Sequence, residues 1–371
     1  MQTTYGLVLT GGGARGAYQA GALLAIAEIC SDQGLKYPFG VLTGTSAGGI
    51  NAAYLASYDG LFVDAAHELG DLWKSITFDQ VFNADFFSLS KTGFRLLLEL
   101  VSGALFKKKT IHSLLNTSPL LKLLQKKLNL EIIQKNIDKG WLKSVALTAS
   151  NYSTGSTHIF FQGNTQTKDW DRTRRSGRKT TITLDHVMAS TAIPILFPPI
   201  QIGPHYFGDG SLRNTSPLSP AIKLGSTKLL VIGVRKNDLS KTSVTKGMPS
   251  IARILGSMLN SVLLDSIDSD YESLTRVNHA LLNSKREESV YKPIHVHMLR
   301  PSADIGYLSS KYAKNMPFAL THLVRGLGNQ SDAADVISYL LFEPAYTTCL
   351  FDIGYKDVMD EKEAIASFFK D

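Results

Sequence analysis

The sequence predicts an α/β fold with a mostly parallel central sheet and helices on both of its faces. Two consecutive units of strand, glycine loop and helix carry this prediction, the first over residues 5–29 and the second over residues 39–56. Consecutive units of this kind place their strands side by side in a parallel sheet. Both glycine loops then open at the same carboxyl edge, where open α/β sheets hold their sites.

The first unit joins an apolar strand, residues 5–9, to a helix rich in alanine and leucine, residues 17–29. Between them lies a glycine loop, Gly11-Gly12-Gly13-Ala14-Arg15-Gly16. Consecutive glycines leave backbone N–H groups exposed near the end of the strand. The loop therefore predicts a cradle for an oxyanion or a phosphate.

A dinucleotide site is the rival interpretation of this loop, because Gly11, Gly13 and Gly16 also fit G-x-G-x-x-G after a strand. A dinucleotide fold needs an acidic residue at the end of a second strand, about 20 residues further on. Asp32 has the right distance but follows the end of a helix. The dinucleotide hypothesis is therefore the weaker one.

The second unit contains G-x-S-x-G in Gly44-Thr45-Ser46-Ala47-Gly48, between an apolar strand end and a predicted helix over residues 50–56. This context is typical of a nucleophile elbow. Glycine at Gly44 and Gly48 removes side chains that would collide in so tight a turn. Ser46 then lies at a helix N-terminus, where the helix dipole favours negative charge. A glycine-rich turn with an idle serine fits the same five residues.

Residues 62–130 are predicted to be helical and irregular, and residues 69–106 are dense in aromatic and aliphatic side chains. Core packing over the sheet is the favoured interpretation for most of them, and a lid or an acyl-chain channel over residues 78–110 is the alternative. Beyond this segment the sequence predicts strands over residues 141–149, 158–162, 228–234 and 294–299, helices over 184–192, 219–224 and 248–282, a basic surface loop over 168–180, and a mostly helical remainder from 311.

Asp209 stands between Gly208 and Gly210 at the end of a short apolar run. A proline-rich passage, residues 193–200, precedes it and is predicted to be rigid and extended. Taken alone, Asp-Gly at this point is typical of a hairpin turn.

In combination, these segments resemble the patatin-like phospholipase family. The glycine loop resembles its oxyanion loop, the G-x-S-x-G segment its nucleophile elbow, and residues 189–199 its proline passage. Asp209 falls at the aspartate of the family's Asp-Gly-Gly or Asp-Gly-Ala. Ser211 departs from that pattern. The resemblance covers about residues 4–234.

The resemblance implies a three-layer α/β/α catalytic domain over residues 1–235, with residues 236–371 packed on it as a mostly helical extension. It also implies hydrolysis of lipid carboxylic esters by a Ser–Asp dyad, without a cofactor or a metal. Ser46 would be the nucleophile and Asp209 the general base, with a pKa raised by partial burial. The oxyanion donors would be Gly11, Gly12 and Gly13, and the supporting residues Arg15, Gly44, Gly48 and Gly210.

Two other functions remain open at this stage. An ordinary α/β-hydrolase with a Ser–Asp–His triad would draw its base from the later histidines, which are His279, His295, His297 and His322. A catalytically idle module would use the same pocket to hold lipid.

Composition favours a reducing compartment and contact with an anionic surface. The chain of 371 residues carries a net charge of +7 and only two cysteines, Cys30 and Cys349, so neither a disulfide framework nor a zinc site is predicted. Its basic clusters, residues 107–109 and 172–179, fit either contact with a membrane surface or ordinary solvent-exposed loops. With a lipid substrate we expect peripheral membrane contact rather than nucleic-acid binding. No signal peptide or apolar stretch of about 20 residues is recognisable, so we expect a cytoplasmic or membrane-peripheral protein, with signal-less export as the alternative.

Overall fold

A computed structural model describes residues 3–83, 113–236, 248–283, 292–318, 320–322 and 332–370. Within these residues, the chain builds one mixed sheet of ten strands. The strands are β1 Tyr5–Leu9, β2 Val41–Thr45, β3 Ser144–Asn151, β4 Ser156–Gly163, β5 Trp170–Arg172, β6 Arg175–Lys179, β7 Ile200–Ile202, β8 His205–Asp209, β9 Lys228–Ile232 and β10 His295–Leu299.

The centre of the sheet is parallel. Strands follow the order β10-β9-β1-β2-β3-β4-β6-β5, and the five from β10 to β3 all run in the same direction. Strand β4 returns antiparallel to β3 through a hairpin. The α/β class with a mostly parallel sheet is therefore confirmed.

Strand β8 lies end to end with β2 along one edge of β3. Strand β2 pairs with β3 as far as Thr45 and Thr148, and the next residue of β3, Ala149, pairs with Asp209 at the end of β8. Because β8 is antiparallel to β3 and β2 is parallel to it, the carboxyl ends of β2 and β8 meet head to head.

Helices cover the sheet. Their bounds are Gly16–Asp32, Ala47–Ala56, Phe62–Ser75, Phe78–Val81, Ser118–Lys127, Ile132–Asp138, Leu184–Thr191, Ser219–Lys223, Ile251–Leu263, Ser266–Asn283, Ile305–Tyr312, Ala334–Leu340, Pro344–Asp360 and Lys362–Phe368. Alternate side chains of β1 show that the sheet is covered on both faces: Leu7 and Leu9 pack into the larger core and Val8 into the smaller one.

The C-terminal helical region packs onto the first helix. A Cβ on Gly21 would lie 1.9 Å from the carbonyl oxygen of Phe351, and a Cβ on Gly354 would lie 2.0 Å from that of Tyr18. Glycine on both helices thus permits backbone contact. The Tyr18 hydroxyl donates a hydrogen bond to Asp357 at 3.1 Å, which ties the two helices together.

Three local predictions were wrong. The basic loop over 168–180 contains the short strands β5 and β6, whose mostly polar, partly exposed side chains give no apolar alternation. The helix over 248–282 is interrupted after Leu263. The proline passage is turned rather than extended: Ile195 has φ = 70°, and Phe197 N–H donates to the carbonyl of Ile193 at 2.8 Å.

Among the described residues, none of the helices has the length and apolar character of a membrane span. Most of the segment predicted to be a lid or a core layer, and the cluster at 107–109, lie outside the described residues.

Candidate active site

Ser46 lies at the junction between β2 and the helix Ala47–Ala56, in a conformation that non-glycine residues rarely adopt. Its φ is 56° and its ψ is −128°, and such a backbone costs about 1–3 kcal/mol. The neighbouring glycines make the turn feasible: a Cβ on Gly44 would lie 2.1 Å from the carbonyl oxygen of Gly48, and a Cβ on Gly48 would lie 2.4 Å from that of Leu9. The segment therefore has the tight strand-to-helix turn that the sequence predicted.

Ser190 holds the elbow against β3. Its hydroxyl accepts a hydrogen bond from the Ser46 backbone N–H at 3.0 Å and donates one to the Thr148 carbonyl at 2.7 Å. Ser190 is fully buried in the helix Leu184–Thr191. Its role was not predicted from the sequence, because it lies 144 residues from Ser46 in a segment with no polar pattern of its own.

Asp209 is fully buried at the end of β8. Its backbone N–H donates to the Ala192 carbonyl at 2.8 Å, and its Oδ1 accepts from the Ser211 backbone N–H at 2.8 Å. Gly210 lets the chain pass closely over β3, since a Cβ there would lie 2.1 Å from the Thr148 carbonyl oxygen. The Asp-Gly segment thus ends a strand instead of forming a hairpin turn.

The structure brings Ser46 and Asp209 together. Burial raises the pKa of the Asp209 carboxyl from 3.8 to about 6, and hydrogen bonding from the Ser46 side chain and from Ser211 lowers it in part. Asp209 Oδ2 nevertheless has no partner with regular hydrogen-bond geometry among the described residues. Ser46 and Asp209 therefore interact without a hydrogen bond of regular geometry.

The glycine loop lies directly above this pair. A Cβ on Gly11 would lie 3.1 Å from Ser46 Cβ, so the loop passes very close to the serine. Gly13 has φ = 57°, and a Cβ there would lie 2.2 Å from the carbonyl oxygen of Tyr339. Among the described residues, the N–H groups of Gly11 and Gly12 have no hydrogen-bond acceptor. The loop therefore offers free donors beside Ser46.

Arg15 anchors the glycine loop to the C-terminal region. Its guanidinium donates to Ser338 Oγ at 2.9 Å and to Asp335 Oδ1 at 3.0 Å. It also lies over the ring of Tyr339, 4.5 Å from the centroid. Because Arg15 is buried and its guanidinium is engaged with these three residues, its position fits the ordering of the loop rather than the binding of an anionic group.

An apolar cavity opens from Ser46. It is lined by Ser46 and Gly13 and by apolar side chains that include Trp73, Leu124, Phe197 and Phe342. Trp73 is fixed in this wall because its indole N–H donates to Asn51 at 2.7 Å. Some side chains of the apolar segment that begins at residue 69 therefore line a pocket beside the serine.

The four candidate histidines lie elsewhere. His295 and His297 are both on the edge strand β10. His297 contacts Glu361 at 3.1 Å, and His295 packs against the ring of Phe368. His279 is exposed on the helix Ser266–Asn283, and His322 stacks on Phe318. In the described part of the chain, no histidine lines the cavity or contributes to the pKa shift of Asp209.

Three of the 17 solved chains that match show the extent of the similarity. They are VipD from Legionella pneumophila (13% identity, TM-score 0.37, covering 91% of this chain and 67% of that one), human GIVD cytosolic phospholipase A2 in complex with methyl gamma-linolenyl fluorophosphonate (11%, 0.39, 99% and 60%), and the ExoU–SpcU complex of Pseudomonas aeruginosa (17%, 0.30, 73% and 51%). The chain thus spans between half and two thirds of their length. At these TM-scores the likeness carries no argument about activity.

Comparison with protein families identifies the family of this chain. No curated protein matches the chain individually. The model of the family described as patatin-like phospholipase matches residues 7–222, which include both glycine motifs and Asp209. This match confirms the resemblance seen in the sequence and supports a lipid ester hydrolase. The chain therefore belongs to the patatin-like phospholipase family.

Proposed function

We propose that this protein hydrolyses carboxylic esters of membrane lipids, as a phospholipase A or lysophospholipase, through a Ser46–Asp209 dyad. The observation that carries the proposal is that these two residues, far apart in the chain, are both buried and interact, and that Ser46 also lines an apolar cavity. Catalysis resides in residues 1–235, and residues 236–371 support the site through contacts such as Arg15 with Asp335.

The reaction proceeds in two displacements. Ser46 Oγ attacks the ester carbonyl carbon while its proton passes to Asp209, and the tetrahedral intermediate then expels the alcohol part, which takes the proton. Water next attacks the acyl-serine, gives a proton to Asp209 and releases the fatty acid, and the proton returns to Ser46. Both steps use residues already in place, with no metal or cofactor.

Asp209 suits the role of base because of its burial. An ordinary carboxylate has a pKa near 4 and is a poor acceptor for a serine proton. Burial raises the pKa of Asp209 to about 6, so the carboxylate is ionised at neutral pH and is a stronger base than a solvated one.

The oxyanion is stabilised by backbone amides. Gly11, Gly12 and Gly13 provide N–H groups beside Ser46. The Ala47 N–H, at the start of the following helix, is a further donor, and the positive end of the helix dipole lies at the same oxyanion position. Losing one such donor typically costs about 3 kcal/mol of transition-state stabilisation. The loop must therefore be held rigidly, which the Arg15 contacts accomplish.

The cavity determines the substrate class. Apolar walls that end at the nucleophile fit a fatty acyl chain, whose burial is favourable by about 0.8 kcal/mol per methylene group. Leu124 and Phe197 lie in this wall. We therefore assign the cavity to the acyl chain and place the head group toward its mouth.

A panel of defined lipids tests the proposed activity. Purified wild type and Ser46→Ala are incubated with diacyl phospholipids, lysophospholipids and neutral esters, and free fatty acid and lysolipid are measured together. Wild type is expected to release fatty acid and Ser46→Ala is not. Absence of turnover by the wild type would favour a lipid-binding module. A single His→Ala change as damaging as Ser46→Ala would favour a triad.

Peripheral membrane contact is part of the proposal, and the helix Ile251–Leu263 supports it. This helix lies against the turn Gly210–Leu212 that follows Asp209. One face exposes apolar side chains at helical spacing, which are Ile251, Ile254, Leu255 and Met258. An exposed apolar face beside a lipid-hydrolysing site fits insertion into a bilayer surface.

Vesicle assays test this contact. The double variant Ile254→Ser/Met258→Ser is expected to lose binding to vesicles of phosphatidylcholine and phosphatidylglycerol while retaining hydrolysis of a soluble short-chain ester. Val277→Ser/Leu282→Ser removes two exposed apolar side chains from another helix and is the matched control. Equal vesicle binding by both double variants would show that the membrane contact is made by a surface other than the helix Ile251–Leu263.

A further inference from the structure

Ser211 occupies the position at which the sequence departs from the family pattern, and it lies inside the site. It belongs to the short turn Gly210–Leu212 immediately after Asp209. Its residue surface is 5% exposed, and its backbone N–H donates to Asp209 Oδ1 at 2.8 Å. The side chain of Ser211 is therefore enclosed beside the carboxylate.

The hydroxyl of Ser211 is directed toward the glycine loop. A Cβ on Gly11 would lie 2.5 Å from Ser211 Oγ and 3.1 Å from Ser46 Cβ. Gly11 thus leaves room for the two serine side chains on the same side of the loop. The Ser211 hydroxyl is close to the two groups that the proposed reaction uses, the nucleophile and the oxyanion loop.

Two buried polar atoms at this point lack regular partners. Within the described residues, neither Ser211 Oγ nor Asp209 Oδ2 has a hydrogen bond of normal geometry. Buried polar atoms are nearly always satisfied, so an adjacent unsatisfied donor and acceptor require an explanation. The Ser211 side chain lies within reach of the carboxyl, so a small shift of either side chain would satisfy both atoms.

We propose that Ser211 is a positioning residue of the dyad, which holds the Asp209 carboxylate toward Ser46 with its backbone N–H and its hydroxyl together. The inference rests on the proposed function. The backbone donor would be present with any residue here except proline, so the hydroxyl is the contribution specific to this chain.

The hydroxyl has a second consequence for the base. Donation to the ionised form of a carboxylate favours that form, and the Ser211 side chain lowers the pKa of Asp209 against the larger effect of burial. Without the hydroxyl, the carboxyl would stay protonated to higher pH. Ser211 therefore extends activity toward lower pH.

The test compares Ser211→Ala with a matched control, Ser226→Ala. Ser226 also has a buried hydroxyl without a regular partner, but it lies beside Gly6, at the opposite end of β1 from the glycine loop. The pH dependence of kcat/KM is measured with a soluble short-chain ester, and the melting temperature checks folding. In parallel, the Asp209 carboxyl is titrated by ¹³C NMR in labelled protein, with Asp209→Asn providing the assignment.

In Ser211→Ala, we expect the acid limb of the profile and the Asp209 titration to move up together by about one pH unit. Ser226→Ala should leave both unchanged. An unshifted Asp209 titration in Ser211→Ala, or a loss of activity that is uniform with pH, would overturn the inference. Failure of the proposed function would appear differently, as absence of Ser46-dependent hydrolysis in the wild type, and the titration would still decide the role of Ser211.

Discussion

Thr45 and Asp209 pair with consecutive residues of the same strand, Thr148 and Ala149 of β3. Strand β2 reaches this point from one direction and β8 from the other. The residue after Thr45 is Ser46, so the register of β3 alone brings a hydroxyl and a carboxylate together across 163 residues of sequence. The proximity of Ser46 and Asp209 is thus a consequence of strand pairing.

Ser190 connects Ser46 to β3 through two hydrogen bonds. Ser190→Ala would leave the buried Ser46 N–H and Thr148 carbonyl without the partner they share, at a cost of about 1–3 kcal/mol of unfolding free energy. We also expect kcat to fall at least about tenfold, since small displacements of a nucleophile are costly.

Urea unfolding and kcat on a soluble ester measure both effects. Ser144→Ala is the matched control, because its buried hydroxyl lies on the same strand and has no regular partner among the described residues. Equal values for the two variants would show that Ser190 does not position the elbow.

Activity should depend on pH through Asp209. The carboxylate must be ionised to accept the serine proton, and its pKa is raised to about 6 by burial. We therefore expect kcat/KM to be constant above this value and to fall about tenfold per pH unit below it. A profile of kcat/KM from pH 4 to 9 provides the measurement, and full activity retained at pH 4 would exclude Asp209 as the base.

The same burial makes Asp209 a cost to stability. A carboxyl whose pKa is higher in the folded than in the unfolded protein destabilises the fold as pH rises from about 4 to about 6. Asp209→Asn removes this penalty, so it should stabilise the protein at pH 8 by up to about 3 kcal/mol. At pH 4 the gain should largely disappear.

Urea unfolding at the two pH values provides the test of this prediction. Asp352→Asn, an exposed carboxyl on the helix Pro344–Asp360, is the control and should change little at either pH. A loss of stability in Asp209→Asn at pH 8 would mean that the carboxylate is better solvated than its burial implies.

Arg15 and Asp335 should respond unequally to mutation. Arg15 has a side-chain exposure of 3% and Asp335 one of 42%. Asp335→Ala leaves a buried cation without its counter-ion, whereas Arg15→Met leaves a half-exposed carboxylate that water can solvate. We expect Asp335→Ala to lower the unfolding free energy by about 2 kcal/mol or more and Arg15→Met by less.

Both variants should also lower kcat, because the glycine loop loses its anchor. Thermal or urea unfolding together with kcat measures the two effects. If Arg15→Met were the more destabilising variant, the apolar packing of the Arg15 side chain would outweigh its ion pair.

Local sequence patterns predicted the features of this molecule that are formed by residues adjacent in sequence. The two strand–loop–helix units, the elbow and the glycine loop follow from residues adjacent in sequence, and the structure contains each of them. The polar strands β5 and β6 at the end of the sheet gave no such signal, because side chains exposed to water need not alternate. The break after Leu263 also had no glycine or proline to mark it.

The contacts around the site could not be predicted in the same way. Ser190 holds Ser46, and Asp335 holds Arg15, across 144 and 320 residues respectively. The sequence around Ser190 and Asp335 contains no pattern that indicates a distant hydrogen-bond partner. Asp209 was singled out by the family resemblance, since its own neighbours indicated only a hairpin turn.

Labelling by a fluorophosphonate probe tests the Ser46–Asp209 pair most directly, because the probe reports activation of the serine without requiring the right lipid. We predict that wild type is labelled at Ser46, that Ser46→Ala is not labelled, and that Asp209→Asn is labelled at least about a hundredfold more slowly. Labelling of Asp209→Asn at the wild-type rate, in a protein that remains folded, would contradict the account.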